Sequence, residues 1–260
     1  MSLTEPVSKR VEAQELALDA MEFMHRDYQR AADVCRKALD VYPDCIDALT
    51  MLADIECESQ RELVERLEGI VSVGRRELGA DFLRVNRGDF WLLLNTRPFM
   101  RAMAELGCAA MDWGSESRTD QAIAIFEEML DLNPNDNLGV RDCLAACYLA
   151  RHRYPEAAAL LDRYSDDDFA VPRWARILLA FDTDDDSLDE LLALAREQNP
   201  HVEAYLTGRK RLPKAVSEMY SPGEKSEAVH CAYTLRNAWK EHPKAKVWLR
   251  NMCGLATAEP

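Results

Sequence analysis

The chain has 260 residues, 48% of them hydrophobic, and carries a formal net charge of −14 at neutral pH. This apolar content is enough to form a continuous core, so disorder is not the expected state. The excess of acidic residues argues against non-specific nucleic-acid binding, because a phosphate backbone attracts proteins rich in Lys and Arg.

Composition also favours helix nearly throughout. Gly and Pro are few, and long stretches rich in Ala, Leu, Glu and Arg lack the alternating β-branched runs that are typical of strands. Residues 1–10 show no apolar core of a signal peptide, and no apolar run approaches the roughly 18 residues of a membrane span. The eight cysteines form no C-x-x-C pattern, which favours reduced thiols. We therefore predict an all-α cytoplasmic protein with no membrane association.

A period of about 34 residues runs through the first two thirds of the chain. The first unit begins near residue 12 and has Asp19 where a small residue is expected. Its matching positions are Ala31, Ala38 and Pro43. The second unit begins near Ile46 and places Leu52 and Ala53 correctly. A helix predicted over residues 60–78 follows, and Gly79 then opens a joint that we assign to residues 79–94.

Two central units match the repeat pattern most fully. The first starts at Met103, and its matching positions are Ala110, Trp113, Ala122, Phe126 and Pro134. The second starts near Leu138, and its matching positions are Leu144, Ala145, Tyr148, Ala157 and Leu161. The small residues let two helices approach closely, and the bulky ones fill the groove between them.

This pattern resembles the tetratricopeptide repeat (TPR) superfamily over about residues 12–165. The resemblance implies a degenerate TPR-like helical repeat, an α-solenoid of antiparallel helix pairs, which binds proteins and is not an enzyme. Stacked inner helices of such repeats line a concave groove.

Beyond the repeats, turn signals predict helices at about 172–182, 187–198, 200–207, 224–241 and 244–252. Residues 201–206, Leu212-Pro213, residues 221–223 and 227–229, and Ala238-Trp239 resemble the C-terminal part of the suppression-of-tumorigenicity-seven family. The predicted organisation is an N-terminal block (1–78), the joint (79–94), a central pair with the following helix (95–182), a C-terminal block (183–253) and a tail (254–260).

No constellation for catalysis stands out. The five histidines (25, 152, 201, 230 and 242) are scattered, and metalloprotease, phosphate-loop and nucleophile-elbow motifs are absent. Cys143 and Cys147 share a helix face, as two metal ligands would, but packing inside a repeat explains them better. We predict no enzyme activity, no metal and no cofactor.

The polar residues of greatest interest fall on the inner helices. Pro98 suits a first helical turn and leaves Arg97 and Arg101 four apart on one face. Asn137 and Arg141 begin the next inner helix. We predict that these four side chains converge in the groove on a peptide carboxylate or an acidic side chain. The alternative is that Arg97 and Arg101 brace acidic neighbours such as Glu105 or Asp112, and that Asn137 caps a helix.

The leading hypothesis is a non-enzymatic protein- or peptide-binding scaffold whose partner the sequence does not identify. One alternative is self-association, as a homodimer for example, through the C-terminal helices around Trp239 and Trp248. Another is RNA binding by the basic segment 209–214, with Arg209, Lys210, Arg211 and Lys214. The second alternative is weaker, since few aromatic residues accompany these charges in an acidic chain.

Overall fold

The computed structural model describes residues 4–24, 26–214, 216–217 and 219–255. Throughout these residues the chain forms α-helices and short 3₁₀ turns, without any β-strand. The all-α prediction is therefore confirmed. The chain divides into two compact units, residues 1–140 and 141–260.

The first unit consists of consecutive helices joined by short connections. They are α1 (Thr4–Met21), α2 (Tyr28–Val41), α3 (Ile46–Glu56), α4 (Gln60–Leu78), α5 (Ala80–Val85), α6 (Arg97–Trp113) and α7 (Glu116–Leu132). Two 3₁₀ turns, Phe90–Leu92 and Leu94–Thr96, lead into α6. The observed α4 has the bounds that the sequence predicts.

The second unit follows with shorter helices, the first of which begins at the last residue of the first unit. They are α8 (Val140–Ala150), α9 (Tyr154–Arg163), α10 (Ala170–Asp182), α11 (Leu188–Gln198), α12 (Val202–Leu206), α13 (Lys225–Thr234), α14 (Arg236–Glu241) and α15 (Pro243–Met252). The boundary between the two units lies inside the predicted central block of residues 95–182. The predicted domain boundaries stay a prediction.

Helix pairing in the first unit follows the repeat pattern. Helix α1 packs on α2, α3 on α4, and α6 on α7, while α3 also packs against both α1 and α6. The inner helices α1, α3 and α6 therefore lie side by side in that order. Helix α6 begins at Arg97, six positions before the predicted start of its repeat, and Pro98 stands in its first turn as expected.

Alanines provide the close approach between α1 and its neighbours. Ala13, Ala17 and Ala20 are completely buried, as are Ala31 and Ala38 of α2. The expected small residue in α1 is therefore present, one position after Asp19, which is exposed.

A close helix contact of the first unit lies at Gly107 of α6. A Cβ atom added there would lie 2.4 Å from a ring carbon of Phe126, whose side chain is completely buried in α7. We expect Gly107→Ala to lower the free energy of unfolding by about 1–3 kcal/mol, because a buried ring cannot move aside without strain. Urea denaturation followed by circular dichroism measures the change.

Gly69 of α4 is the matched control for Gly107. A Cβ atom at Gly69 would meet nothing within 4 Å. Since alanine is the better helix former, Gly69→Ala is expected to raise the free energy of unfolding by roughly 0.5–1 kcal/mol. Equal effects of the two substitutions would contradict the tight packing of α6 on α7.

The helices observed in the C-terminal part agree with those predicted from the sequence, with one exception. The single helix predicted over 224–241 is wrong, because the chain forms α13 and α14 with Leu235 between them at ψ 0°. The side chain of Leu235 is completely buried. The interruption therefore falls on an apolar residue of the core.

Candidate functional site

Asp47 of α3 joins the three inner helices of the first unit. Its side chain is 2% exposed. Arg101 of α6 donates to it from Nε at 2.9 Å and from Nη2 at 2.5 Å, and Gln14 of α1 donates from Nε2 at 2.6 Å. Since a buried carboxylate needs donors, Arg101 acts in the structure as a brace. This matches the alternative interpretation of Arg101, with Asp47 as the acidic partner.

Arg97 differs from Arg101 in its surroundings. It is half-buried, its Nε donates to the Trp91 carbonyl oxygen at 3.1 Å, and its Cζ lies 4.9 Å from the centre of the Trp91 ring. Among the described residues, no carboxylate lies within ion-pair distance of Arg97. The guanidinium is therefore oriented by an aromatic ring and remains available to an acidic ligand.

The turn before Arg97 is anchored at both ends. Phe90 is completely buried and contacts the rings of Phe82 and Phe99 at centroid distances of 6.1 and 6.4 Å. At the other end, Oγ1 of Thr96 is within hydrogen-bond distance of the carbonyl oxygens of Phe90 and Leu93. The side chains of Leu92 and Leu94 are left 73% and 72% exposed.

A surface cavity of about 440 Å³ opens beside this turn in the first unit. Its apolar lining includes Val11, Ile46, Leu78, Phe82, Leu94 and Pro98. Arg10 and Glu77 line it as well and form an ion pair at 2.6 Å. Because Leu94 and Pro98 stand on either side of Arg97 in the sequence, an apolar cavity and an available cation come from the same short segment.

Asn137 lies exposed in the turn between α7 and α8. The helix start is stabilised by Asp136 instead, whose Oδ1 accepts a hydrogen bond from the Val140 amide at 2.9 Å. The expectation that Asn137 caps this helix is therefore wrong. Asp136 has a positive φ of 49°, a conformation that Asp tolerates better than most residues.

Arg141 belongs to the second unit. Its Nε and Nη2 donate to Oδ2 of Asp167 at 2.9 and 2.5 Å, and its Cζ lies 5.3 Å from the Tyr164 ring centre. The Asp167 side chain is 7% exposed. Arg101 and Arg141 thus each pair with a buried carboxylate, and the convergence of all four predicted residues on one ligand stays a prediction.

A buried carboxylate of the second unit that accepts several hydrogen bonds was missed by sequence reasoning. Glu227 of α13 is 1% exposed. It accepts hydrogen bonds from the amides of Ala170 at 3.0 Å and Gly223 at 2.7 Å, and from the side chains of Gln198 at 3.1 Å and Asn199 at 2.9 Å. Since Ala170, Gln198 and Asn199 lie 57, 29 and 28 residues from Glu227 in sequence, only a buried acidic position in an otherwise apolar helix face could have signalled it.

The surface predicted for self-association is partly core. Trp239 is 2% exposed and its ring centre lies 6.4 Å from that of Trp174, which is completely buried. Trp239 is therefore not available to a second molecule. Trp248 contacts Phe181 at a centroid distance of 5.4 Å. Arg209, Lys210, Arg211 and Lys214 are exposed outside the helices, and RNA binding by them stays a prediction.

Two of the histidines that look scattered in the sequence come together in the second unit. The ring centres of His152 and His242 lie 4.6 Å apart. Nδ1 of His152 is 2.7 Å from the Tyr154 hydroxyl, and Nε2 of His242 is 2.9 Å from Oδ2 of Asp182. Residues that are scattered along the sequence become neighbours because three inter-helix turns meet here. His25 lies outside the described residues.

The eight cysteines are not joined to one another in the structure. All eight cysteines are free thiols, and burial raises the pKa of Cys35 to about 11, so that it is a poor nucleophile. Over the described ranges, no three His, Cys, Asp or Glu side chains are arranged to hold a metal ion. No helix within those ranges has the length and apolar character needed to cross a membrane.

Residues 115–180 match the tetratricopeptide repeat family. The match runs from α7 into α10, so it covers the second helix of the unit that starts at Met103 and the whole unit that starts near Leu138. It supports the TPR resemblance for this segment and does not reach the C-terminal residues that resemble the suppression-of-tumorigenicity-seven family, which stays a prediction. No curated protein matches the sequence significantly.

Proposed function

We propose that this chain is a non-enzymatic scaffold that binds a segment of another protein on the face formed by its inner TPR-like helices. The observation that carries the proposal is the side-by-side order of α1, α3 and α6, fastened by Asp47, Arg101 and Gln14. A fastened array of inner helices presents a preformed surface, and such a surface loses little conformational entropy when it binds a peptide.

Within this proposal the four predicted residues have different roles. Arg97 contacts an acidic group of the ligand, since no described carboxylate already occupies it. Arg101 holds the binding surface of the first unit in shape through Asp47, whereas Arg141 is already paired with Asp167 within the second unit. Asn137 offers an exposed amide in the turn after α7.

The neighbouring cavity adds an apolar component to the same ligand. Leu94 and Pro98 line it, and its volume of about 440 Å³ accommodates a large apolar side chain. The ligand that fits is a peptide segment carrying an apolar residue close to a carboxylate, and the apolar contact supplies affinity while the arginine supplies orientation.

We expect Arg97→Ala to weaken partner capture by about 10- to 100-fold, the range of a hydrogen-bonded charge pair. Arg97→Lys should restore only part of the binding, because an ammonium keeps the charge without the planar fork. Affinity capture from a lysate of the native organism, quantified by mass spectrometry with each variant as bait, measures the loss.

The control is Arg61→Ala, because Arg61 is a 75% exposed arginine on the outer helix α4. It should capture the same partner as the wild type. Equal capture by wild type and Arg97→Ala would remove Arg97 from the site. The absence of any specific partner on all baits would count against the scaffold itself.

A further inference from the structure

The cluster of His152, Tyr154, Asp182 and His242 connects three separate parts of the second unit. His152 and Tyr154 flank the start of α9, Asp182 ends α10, and His242 lies between α14 and α15. His242 is 4% exposed, and His152 has a positive φ of 55°. The proposed binding function uses none of these residues.

The hydrogen bonds of His242 determine where its protons lie. Nδ1 of His242 is 2.6 Å from the Ala238 carbonyl oxygen, and a carbonyl oxygen only accepts, so Nδ1 carries a proton. In a neutral ring Nε2 is then an unprotonated acceptor. It faces Oδ2 of Asp182 at 2.9 Å and the Tyr154 hydroxyl at 3.3 Å.

Tyr154 cannot supply the missing proton to Nε2. Burial, the charge of Asp182 and the hydrogen bond between the two side chains raise the pKa of Tyr154. An ionised carboxylate only accepts, so the single hydroxyl proton of Tyr154 is directed to Asp182. Nδ1 of His152, at 2.7 Å from that hydroxyl, is then a donor as well.

Two unprotonated acceptors would therefore face each other between His242 and Asp182. Oδ2 of Asp182 is buried and receives no aligned hydrogen bond from the described residues. An imidazole lone pair and a carboxylate oxygen repel at 2.9 Å unless one of them carries a proton. The pair thus holds one proton more than a neutral histidine and a free carboxylate would hold.

We propose that this cluster is a proton-dependent clamp, in which one proton shared by Asp182 and His242 fastens the end of α10 to the turn between α14 and α15. Helix α10 packs against α15, so the clamp lies at an existing helix contact. Loss of the proton as the pH rises weakens the attachment of α15.

The groups around Asp182 act on its pKa in opposite directions, and the net effect is a raised pKa. Burial is the largest influence and raises the pKa of Asp182; His242 and His152 oppose the rise, and Asp184 adds to it. Asp182, Asp184, Asp185 and Lys244 line the adjoining surface cavity. A carboxyl whose pKa is raised by folding stabilises the fold at low pH and loses that contribution as the pH increases through its folded value.

The test is backbone amide hydrogen exchange of α14 and α15 in the full chain, corrected for the intrinsic dependence of exchange on pH. One bound proton corresponds to at most about a tenfold loss of protection per pH unit, and we expect a progressive loss as the pH rises above the ordinary titration range of a carboxyl group. In Asp182→Asn the amide N–H donates to neutral Nε2 without an additional proton. In this variant the loss of exchange protection should then fall below about twofold per pH unit.

His201→Gln removes another histidine of the same unit and should keep the wild-type dependence. Equal pH dependence of the wild type and Asp182→Asn would overturn the proposal. So would nuclear magnetic resonance showing an unprotonated Asp182 carboxylate beside a neutral His242 ring at about pH 6. Protection that follows added zinc instead of pH would replace the proton clamp by a metal site.

Discussion

Glu227→Ala is expected to lower the free energy of unfolding of the second unit by about 3–5 kcal/mol. The substitution removes a buried acceptor and leaves two backbone amides and two side-chain amides without their partner, and each buried unsatisfied group costs about 1–3 kcal/mol before relaxation. The amide of Ala170 begins α10, so the loss also destabilises the start of that helix. Urea denaturation followed by circular dichroism and tryptophan fluorescence measures the change.

Glu224 is the matched control for Glu227. It is an exposed carboxylate three residues earlier, and its side chain makes no capping hydrogen bond to α13. Glu224→Ala should change stability by less than about 0.5 kcal/mol. The loss of stability in Glu227→Gln should lie between those of Glu224→Ala and Glu227→Ala, because the glutamine retains one acceptor oxygen but turns an amide group toward donors. Similar losses at Glu224 and Glu227 would refute a central role for the buried carboxylate.

Arg101→Ala is expected to lower the free energy of unfolding of the first unit by about 3–5 kcal/mol, because Asp47 would remain as a buried charge with Gln14 as its remaining described donor. Asp47→Ala should cost less, since Arg101 is 31% exposed and its guanidinium can turn to water. The asymmetry between the two substitutions is the diagnostic result. Denaturant unfolding of both variants measures it.

The double variant Asp47→Ala/Arg101→Ala completes this experiment. Removing both charges should cost less than Arg101→Ala alone, because no buried carboxylate is left unpaired. Simple addition of the two losses would show that Asp47 and Arg101 do not interact. The same reasoning explains why Arg101→Ala cannot by itself report on ligand binding, since it changes the binding surface and the stability together.

The sequence by itself determined the helical class and the repeat pairs. Ala110, Ala122 and Phe126 stand at the spacing that lets two helices pack, and all three are completely buried. The bounds of α4 and the place of Pro98 in the first turn of α6 also follow from local signals, because caps, prolines and apolar periodicity act within a few residues.

Tertiary structure alone decided which charges are paired. Arg97 and Arg101 are equivalent by spacing on one helix, yet Arg101 meets Asp47 across 54 residues while Arg97 lies on Trp91. Glu227 and the pair of His152 and His242 likewise depend on segments far apart in the chain. The repeat pattern specifies how neighbouring helices pack. A buried polar group, in contrast, is satisfied by whichever donors the fold brings to it. The identity of those donors cannot be read from the sequence without the tertiary contacts.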